Sequence, residues 1–129
     1  MTERQEKVLK YVLEHKQVGI RELGEACGFN VKAFATNHDC CVVLRSEIEK
    51  INKDKTHPYL IMYDEDYNYW VEKDNQAKVR FLREKKLEPA LKKLHSYWAG
   101  MSKIENENQI SFDEFLNEVA KEYGGKQFD

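Results

Sequence analysis

Pro58-Tyr59-Leu60-Ile61-Met62-Tyr63-Asp64-Glu65-Asp66-Tyr67-Asn68-Tyr69-Trp70-Val71 reads differently from everything around it, and its setting decides the fold. Tyr59, Ile61 and Tyr63 alternate with Leu60 and Met62, and Tyr67, Tyr69 and Val71 alternate with Asn68 and Trp70. Period-two runs on either side of an acidic turn, Asp64-Glu65-Asp66, predict two half-buried strands. Ahead of them, across a polar connection, Glu47-Ile48-Glu49-Lys50-Ile51-Asn52 closes a long helical segment. A helix delivered into a two-stranded ribbon, after two shorter helices, predicts a chain that is mainly α with a small β-hairpin.

Upstream, Val8, Val12 and His15, flanked by Leu9 and Leu13, form one apolar stripe, which predicts an amphipathic helix over residues 3–15. A second helix follows on Ile20, Leu23, Ala26 and Cys27 and stops at Gly28, a residue suited to a left-handed C-cap. For the third helix, Phe34, Cys41, Leu44, Ile48 and Ile51 are spaced 7, 3, 4 and 3, which supports a long helix over 32–53 with a bend allowed. Thr36, Asn37, His38 and Asp39 include good N-caps, so a start near Asp39 after an irregular stretch also fits.

Downstream, Val79, Leu82, Leu87, Leu91, Leu94 and Trp98 restore helical periodicity. Pro89 interrupts it, predicting a kink or two helices, 75–87 and 89–100. Ser111 and Glu114 stand as a capping box ahead of a helix over 112–123, with Ile110 placed to staple onto Phe115. The expected organisation is a domain over 1–73 and a helical extension over 74–129 that packs on it and offers a dimerising stripe through its leucines and Trp98.

At 129 residues, with 41% hydrophobic and 34% charged side chains, the chain can bury a modest core under a well-solvated surface. No run approaches the roughly 18 consecutive apolar residues of a membrane span, and the polar start does not open a signal peptide. Three cysteines make a poor disulfide framework. A cytoplasmic protein with no membrane partner is therefore expected. The net charge of −2 withholds the usual electrostatic argument for nucleic acid. Its distribution is uneven, because Lys78, Arg80, Arg83, Lys85, Lys86, Lys92 and Lys93 face only Glu84 and Glu88 within one helical stretch.

Gly19-Ile20-Arg21-Glu22-Leu23-Gly24-Glu25-Ala26-Cys27-Gly28-Phe29 resembles the second helix and turn of helix-turn-helix proteins. Arg45-Ser46-Glu47-Ile48-Glu49-Lys50-Ile51-Asn52 resembles the end of the recognition helix of winged-helix regulators of bacteria and their phages. The likeness, closest to prophage-encoded members of Gram-positive bacteria, covers roughly residues 5–110. It implies a winged helix with a C-terminal helical extension, in a bacterial cytoplasmic regulator or replication accessory of phage or mobile-element type. From Leu23 to Ile48 is 25 residues, about ten more than the pattern has, so either the turn is enlarged or the third helix is longer.

On that reading double-stranded DNA is the partner and a homodimer is expected. The DNA-binding residues are Lys32, Thr36, Asn37, His38, Arg45 and Lys50 on the helix, with Lys53, Lys55 and His57 on flanking phosphates. The acidic turn works against a wing laid on DNA, so its tip should point away from the backbone. An adaptor or inhibitor that binds a host protein through the same scaffold is the alternative, favoured by the net charge and that turn.

Catalysis finds no footing. Paired carboxylates, a glycine-rich phosphate loop and a nucleophile motif are all missing, so no enzyme, catalytic residue or cofactor is expected. His38-Asp39-Cys40-Cys41 offers two ligands at helical spacing, but zinc wants three or four, and Cys27 and His57 are the only additions. Residues 103–114 resemble the latter part of a calcium-binding loop, yet Lys103 occupies the first-ligand position and Asn108 the glycine position. No metal is expected.

Overall fold

The computed structural model of the chain describes residues 1–30, 37–105 and 108–126, and the side chains of all of these except 37–41. Its contacts divide it into two units, Met1–Phe81 and Leu82–Asp129.

In the first unit, α1 (Glu3–Glu14) begins with a two-way cap. Gln5 N–H donates to Thr2 Oγ1 and Thr2 N–H donates to Gln5 Oε1, both at 3.1 Å, which satisfies amides that the first turn leaves without helical partners. Val8, Leu9 and Val12 face inward, as their spacing predicts. His15 ends the helix in extended backbone, its ring stacked on Tyr11 at 4.0 Å. A short strand that periodicity did not reveal follows, β1 (Val18–Gly19). Helix α2 (Ile20–Ala26) buries Ile20 and Leu23 and closes through Gly28 at φ +82°, where Phe29 N–H reaches back to the Gly24 carbonyl at 2.9 Å. The buried Phe29 carries the Arg4 guanidinium 3.6 Å above its ring.

Helix α3 (Asn37–Lys53) turns Leu44, Ile48 and Ile51 into the core. The expected start at 32 and the stripe member Phe34 lie outside the described residues, so the choice between a long helix and an enlarged turn does too. After α3 the chain enters β2 (Ile61–Tyr63) and β3 (Asn68–Val71), paired Ile61↔Val71, Met62↔Trp70 and Tyr63↔Tyr69. The expected hairpin is thus present, and β1 extends it. Val18 pairs with Tyr69 and Gly19 with Asn68, giving an antiparallel sheet in the order β1-β3-β2. Ile61 and Tyr69 point into the cluster formed by all three helices, whereas Met62 on the opposite side of the pleat is also buried.

Asn52 joins helix to sheet. Its Nδ2 donates to the Ile61 carbonyl at 3.0 Å and its Oδ1 accepts Ile61 N–H at 2.8 Å, so one side-chain amide stands in for a missing strand neighbour. The link is what delivers α3 into the ribbon in a set register.

Asp74 N-caps α4 (Asn75–Leu82) by accepting Gln76 N–H at 3.2 Å. Next comes a π-helical turn over Arg83–Leu87, then α5 (Glu88–Glu105). Pro89 neither breaks nor ends this stretch. In the widened turn the Glu88 N–H bonds back to the Arg83 carbonyl, five residues earlier, which relieves the clash a proline ring makes with the carbonyl four back. The helix consequently runs to Glu105 instead of the expected 100. Ser111 Oγ accepts Glu114 N–H at 3.2 Å and opens α6 (Phe112–Tyr123). Trp98 holds the turn between α5 and α6, its Nε1–H donating to the Ile110 carbonyl at 2.8 Å. Among the described residues the protein is mainly helical with one small antiparallel sheet, and no helix is long and apolar enough to cross a membrane.

Candidate nucleic-acid interface

Because Leu44, Ile48 and Ile51 occupy the inward side of α3, helical geometry puts Val42, Ser46, Glu49 and Lys53 on the outward side, with Arg45 flanking it on one edge and Val43 and Lys50 on the other. Val42, Arg45, Ser46 and Glu49 outline a shallow depression of about 350 Å³. Of the residues expected to touch DNA, Arg45, Lys50, Lys53 and Lys55 are all exposed. Lys32 and Thr36 lie outside the described residues; Asn37 and His38 belong to the first turn of α3, their side chains outside the description.

Each exposed cation has a local setting. Arg45 leans on the hairpin turn, its Nη1 donating to Tyr67 Oη at 3.4 Å with Cζ 5.4 Å from the ring centre. Tyr67 supplies that platform from a left-handed backbone, φ +56°, rare for an aromatic residue and therefore held by its surroundings. Lys50 lies 3.9 Å from Glu47, a long contact whose lysine end is exposed and which has little holding power. Glu47 is more firmly engaged by Gln5, whose Nε2 donates to it at 2.9 Å from a nearly buried position on α1.

His57 was expected on the DNA backbone; the structure uses it inside the loop. Tyr59 N–H donates to Nδ1 at 3.1 Å, which leaves the ring proton on Nε2, and Nε2 donates to the Ile51 carbonyl at 2.7 Å. The ring thus gives the Ile51 carbonyl a second donor beside Asp54 N–H, which lies at 3.2 Å, and is occupied at both nitrogens. Next to it, Asp54 accepts the amide and hydroxyl of Thr56 and meets the Met1 ammonium at 3.2 Å. The Thr56 hydroxyl and amide bonds come first in lowering its carboxyl from 3.8 to about 2.

The acidic turn is less uniform than its letters suggest. Asp64 folds inward and accepts Asp66 N–H at 3.0 Å, Asn68 N–H at 3.0 Å and Asn68 Nδ2 at 3.1 Å, and the bond from the Asn68 amide leads in lowering its pKa. Glu65 and Asp66 remain exposed at the tip. One aspartate is therefore structural, and two carboxylates face solvent.

Comparison with family models, with curated proteins and with solved structures finds no match.

The other chemical candidates resolve differently. Cys27 is buried at the end of α2, and burial leads in raising its thiol pKa, the opposite of what a nucleophile or metal ligand needs. Among the described residues no cluster of three or more His, Cys, Asp or Glu side chains is arranged to hold a metal. The structure also assembles a cleft of about 490 Å³ that no linear motif announced, in which Lys16, Lys73 and Lys78 meet beside His15, Glu14 and Glu72. Its cations come from the turn after α1, the connection after β3 and α4, so folding is what lines one cleft with all three.

Proposed function

We propose that the first unit is a winged helix that binds duplex DNA in the cytoplasm, with α3 entering the major groove and β2 and β3 forming the wing. The observation that carries this reading is the path of the chain. Two short helices precede a longer third, Asn52 couples that helix to the ribbon, and β1 closes the sheet against β3. A rigid helix–ribbon junction is what a groove reader needs, because base-edge contacts demand a helix held in one orientation. Arg45 would reach bases, while Lys50, Lys53 and Lys55 would neutralise flanking phosphates. Asp64 stays ionised but turns its carboxylate onto the Asp66 and Asn68 amides, which leaves Glu65 and Asp66 as the carboxylates exposed at the tip. A regulator or replication accessory of phage or mobile-element type is the class this implies, on the sequence resemblance described above.

Fluorescence anisotropy of a labelled random duplex, titrated with protein across a salt series, tests it directly. Non-specific binding in the ~10⁻⁴ to 10⁻⁶ M range, weakening linearly in log–log form, is expected. Replacing Lys50 or Lys53 by Ala should lower the salt slope by about 0.9 each. Absence of binding at the lowest salt would defeat the proposal, since the electrostatic part of affinity appears without the right sequence.

A protein partner is the second reading. It is favoured by the exposed pair Val42 and Val43 on α3, at 53% and 46%, and by Glu65 and Asp66 at the turn. In that case the duplex stays unbound, and Val42→Asp abolishes capture of the partner instead.

A further inference from the structure

Three stretches of the first unit enclose the cleft of about 490 Å³: the end of α1, the connection into β2, and the run from β3 into α4. Its floor is apolar. Val12 is buried and Val71 half-buried, and beside them Leu13 and Tyr59 keep 43% and 41% of their surface exposed. Two of its walls are fixed by contacts of their own. The His15 ring lies on Tyr11 at 4.0 Å and its Nδ1–H donates to the Tyr11 carbonyl at 2.7 Å, while Tyr59 stacks on His57 at 6.0 Å and donates its N–H to that ring. The cleft is thus formed by interactions internal to the protein, and its volume falls within the ~300–1,000 Å³ range of small-molecule sites.

Lys16, Lys73 and Lys78 stand around that floor. Among the described residues none of their ammonium groups has a carboxylate within ion-pair distance, although Glu72 is near enough to feel the charge of Lys78. The two carboxylates of the lining differ in what they offer. Glu72 already accepts Asp74 N–H at 3.1 Å, Trp70 Nε1–H at 3.0 Å and Lys73 N–H at 3.2 Å, bonds that hold its pKa down and turn its oxygens toward its own chain. Glu14 is exposed to solvent. Three cations against two carboxylates leave one positive charge in excess beside an apolar floor.

We propose that this cleft binds a small organic acid with a compact apolar body and a single negative charge. The body covers Leu13, Val71 and the Tyr59 ring, and the carboxylate accepts charge-assisted hydrogen bonds from the lysines around them. One charge is what the lining can balance. A ligand with several, such as a nucleoside triphosphate, would set its surplus against Glu14 and Glu72. None of these side chains is among those proposed to meet DNA, so the inference stands whatever α3 binds.

Amide NMR titration of the full chain with 3-phenylpropionate, its neutral amide and 3-phenylpropylammonium tests it, because the three probes share a ring and chain and differ in charge. The acid is expected to bind with a Kd of ~1 mM or tighter and at least ~10-fold more tightly than the amide, and the cation not to bind. Its shifts should centre on residues 12–16, 58–59 and 71–78. Lys16→Gln/Lys73→Gln changes two exposed positions, with folding verified by circular dichroism; it should weaken the acid about tenfold and leave the amide unchanged. Tyr59→Ala should weaken both alike. Equal binding of acid and amide, indifference of the acid to loss of the two lysines, or shifts centred elsewhere overturns the proposal. Displacement of the acid by a random DNA duplex overturns it as well, giving the cleft to nucleic-acid phosphates.

Discussion

The two units solve the problem of burying apolar surface in opposite ways. In the first, Val8, Leu23, Leu44, Ile51, Ile61 and Tyr69 are at or near zero exposure, drawn from α1, α2, α3 and both hairpin strands. In the second, described side chains as large as Trp98, Phe112 and Phe115 are only half-buried, held by ring contacts of 5.6 Å between Trp98 and Phe112 and 6.0 Å between the two phenylalanines. The difference follows from architecture. Helices crossing over a sheet enclose a volume, whereas a pair of helices has only one shared seam.

The widest gap should appear on truncating one core-facing leucine in each. Leu23→Ala removes a fully enclosed side chain and is expected to cost about 2–5 kcal/mol in urea denaturation followed by circular dichroism. Leu94→Ala, at the half-buried seam between α5 and α6, should cost less than ~1.5 kcal/mol. Equal losses would break the comparison and place a hidden core in the second unit.

A smaller effect probes the junction that makes the first unit rigid. Asn52→Ala leaves the Ile61 amide and carbonyl without their partner, an expected loss of about 1–3 kcal/mol. Hydrogen exchange at Ile61 should quicken beyond the global change; exchange that rises only with global unfolding would show that the ribbon holds itself. Gly28→Ala tests local backbone alone, because a Cβ there meets nothing within 4 Å and the cost comes from φ +82°. About 1 kcal/mol is expected from thermal melts.

The smallest effect is one of pH. The Thr56 hydrogen bonds hold the Asp54 carboxyl at about 2, below its ordinary 3.8, so folding favours its charged form. Its contribution is present above pH ~4 and is lost as the pH falls through ~2. Asp54→Asn should lower the stability of the first unit at neutral pH and flatten its profile across that window. A profile unaltered by the substitution would assign acid sensitivity to other carboxylates.

Much of this was legible from letters. Helical stripes with a period near 3.6 placed α1, α2 and α3, a capping box placed α6, and strict alternation placed the hairpin, because side-chain direction is a local consequence of backbone geometry. Gly28 announced its turn for the same reason: only a residue without a Cβ enters the left-handed region freely. Other features needed the fold. Strand β1 is too short to show a period and exists because Tyr69 and Asn68 are brought beside it. Asn52 and His57 read as surface polar residues until the end of α3 meets the start of β2. The inward turn of Asp64, the Arg45–Tyr67 contact and the three-lysine cleft likewise join positions far apart in function though not always in sequence. Sequence determines what each segment prefers, since propensity and periodicity act over a few residues; which polar groups are consumed by structure, and which remain to meet a partner, is decided only when distant segments compete for the same donors and acceptors.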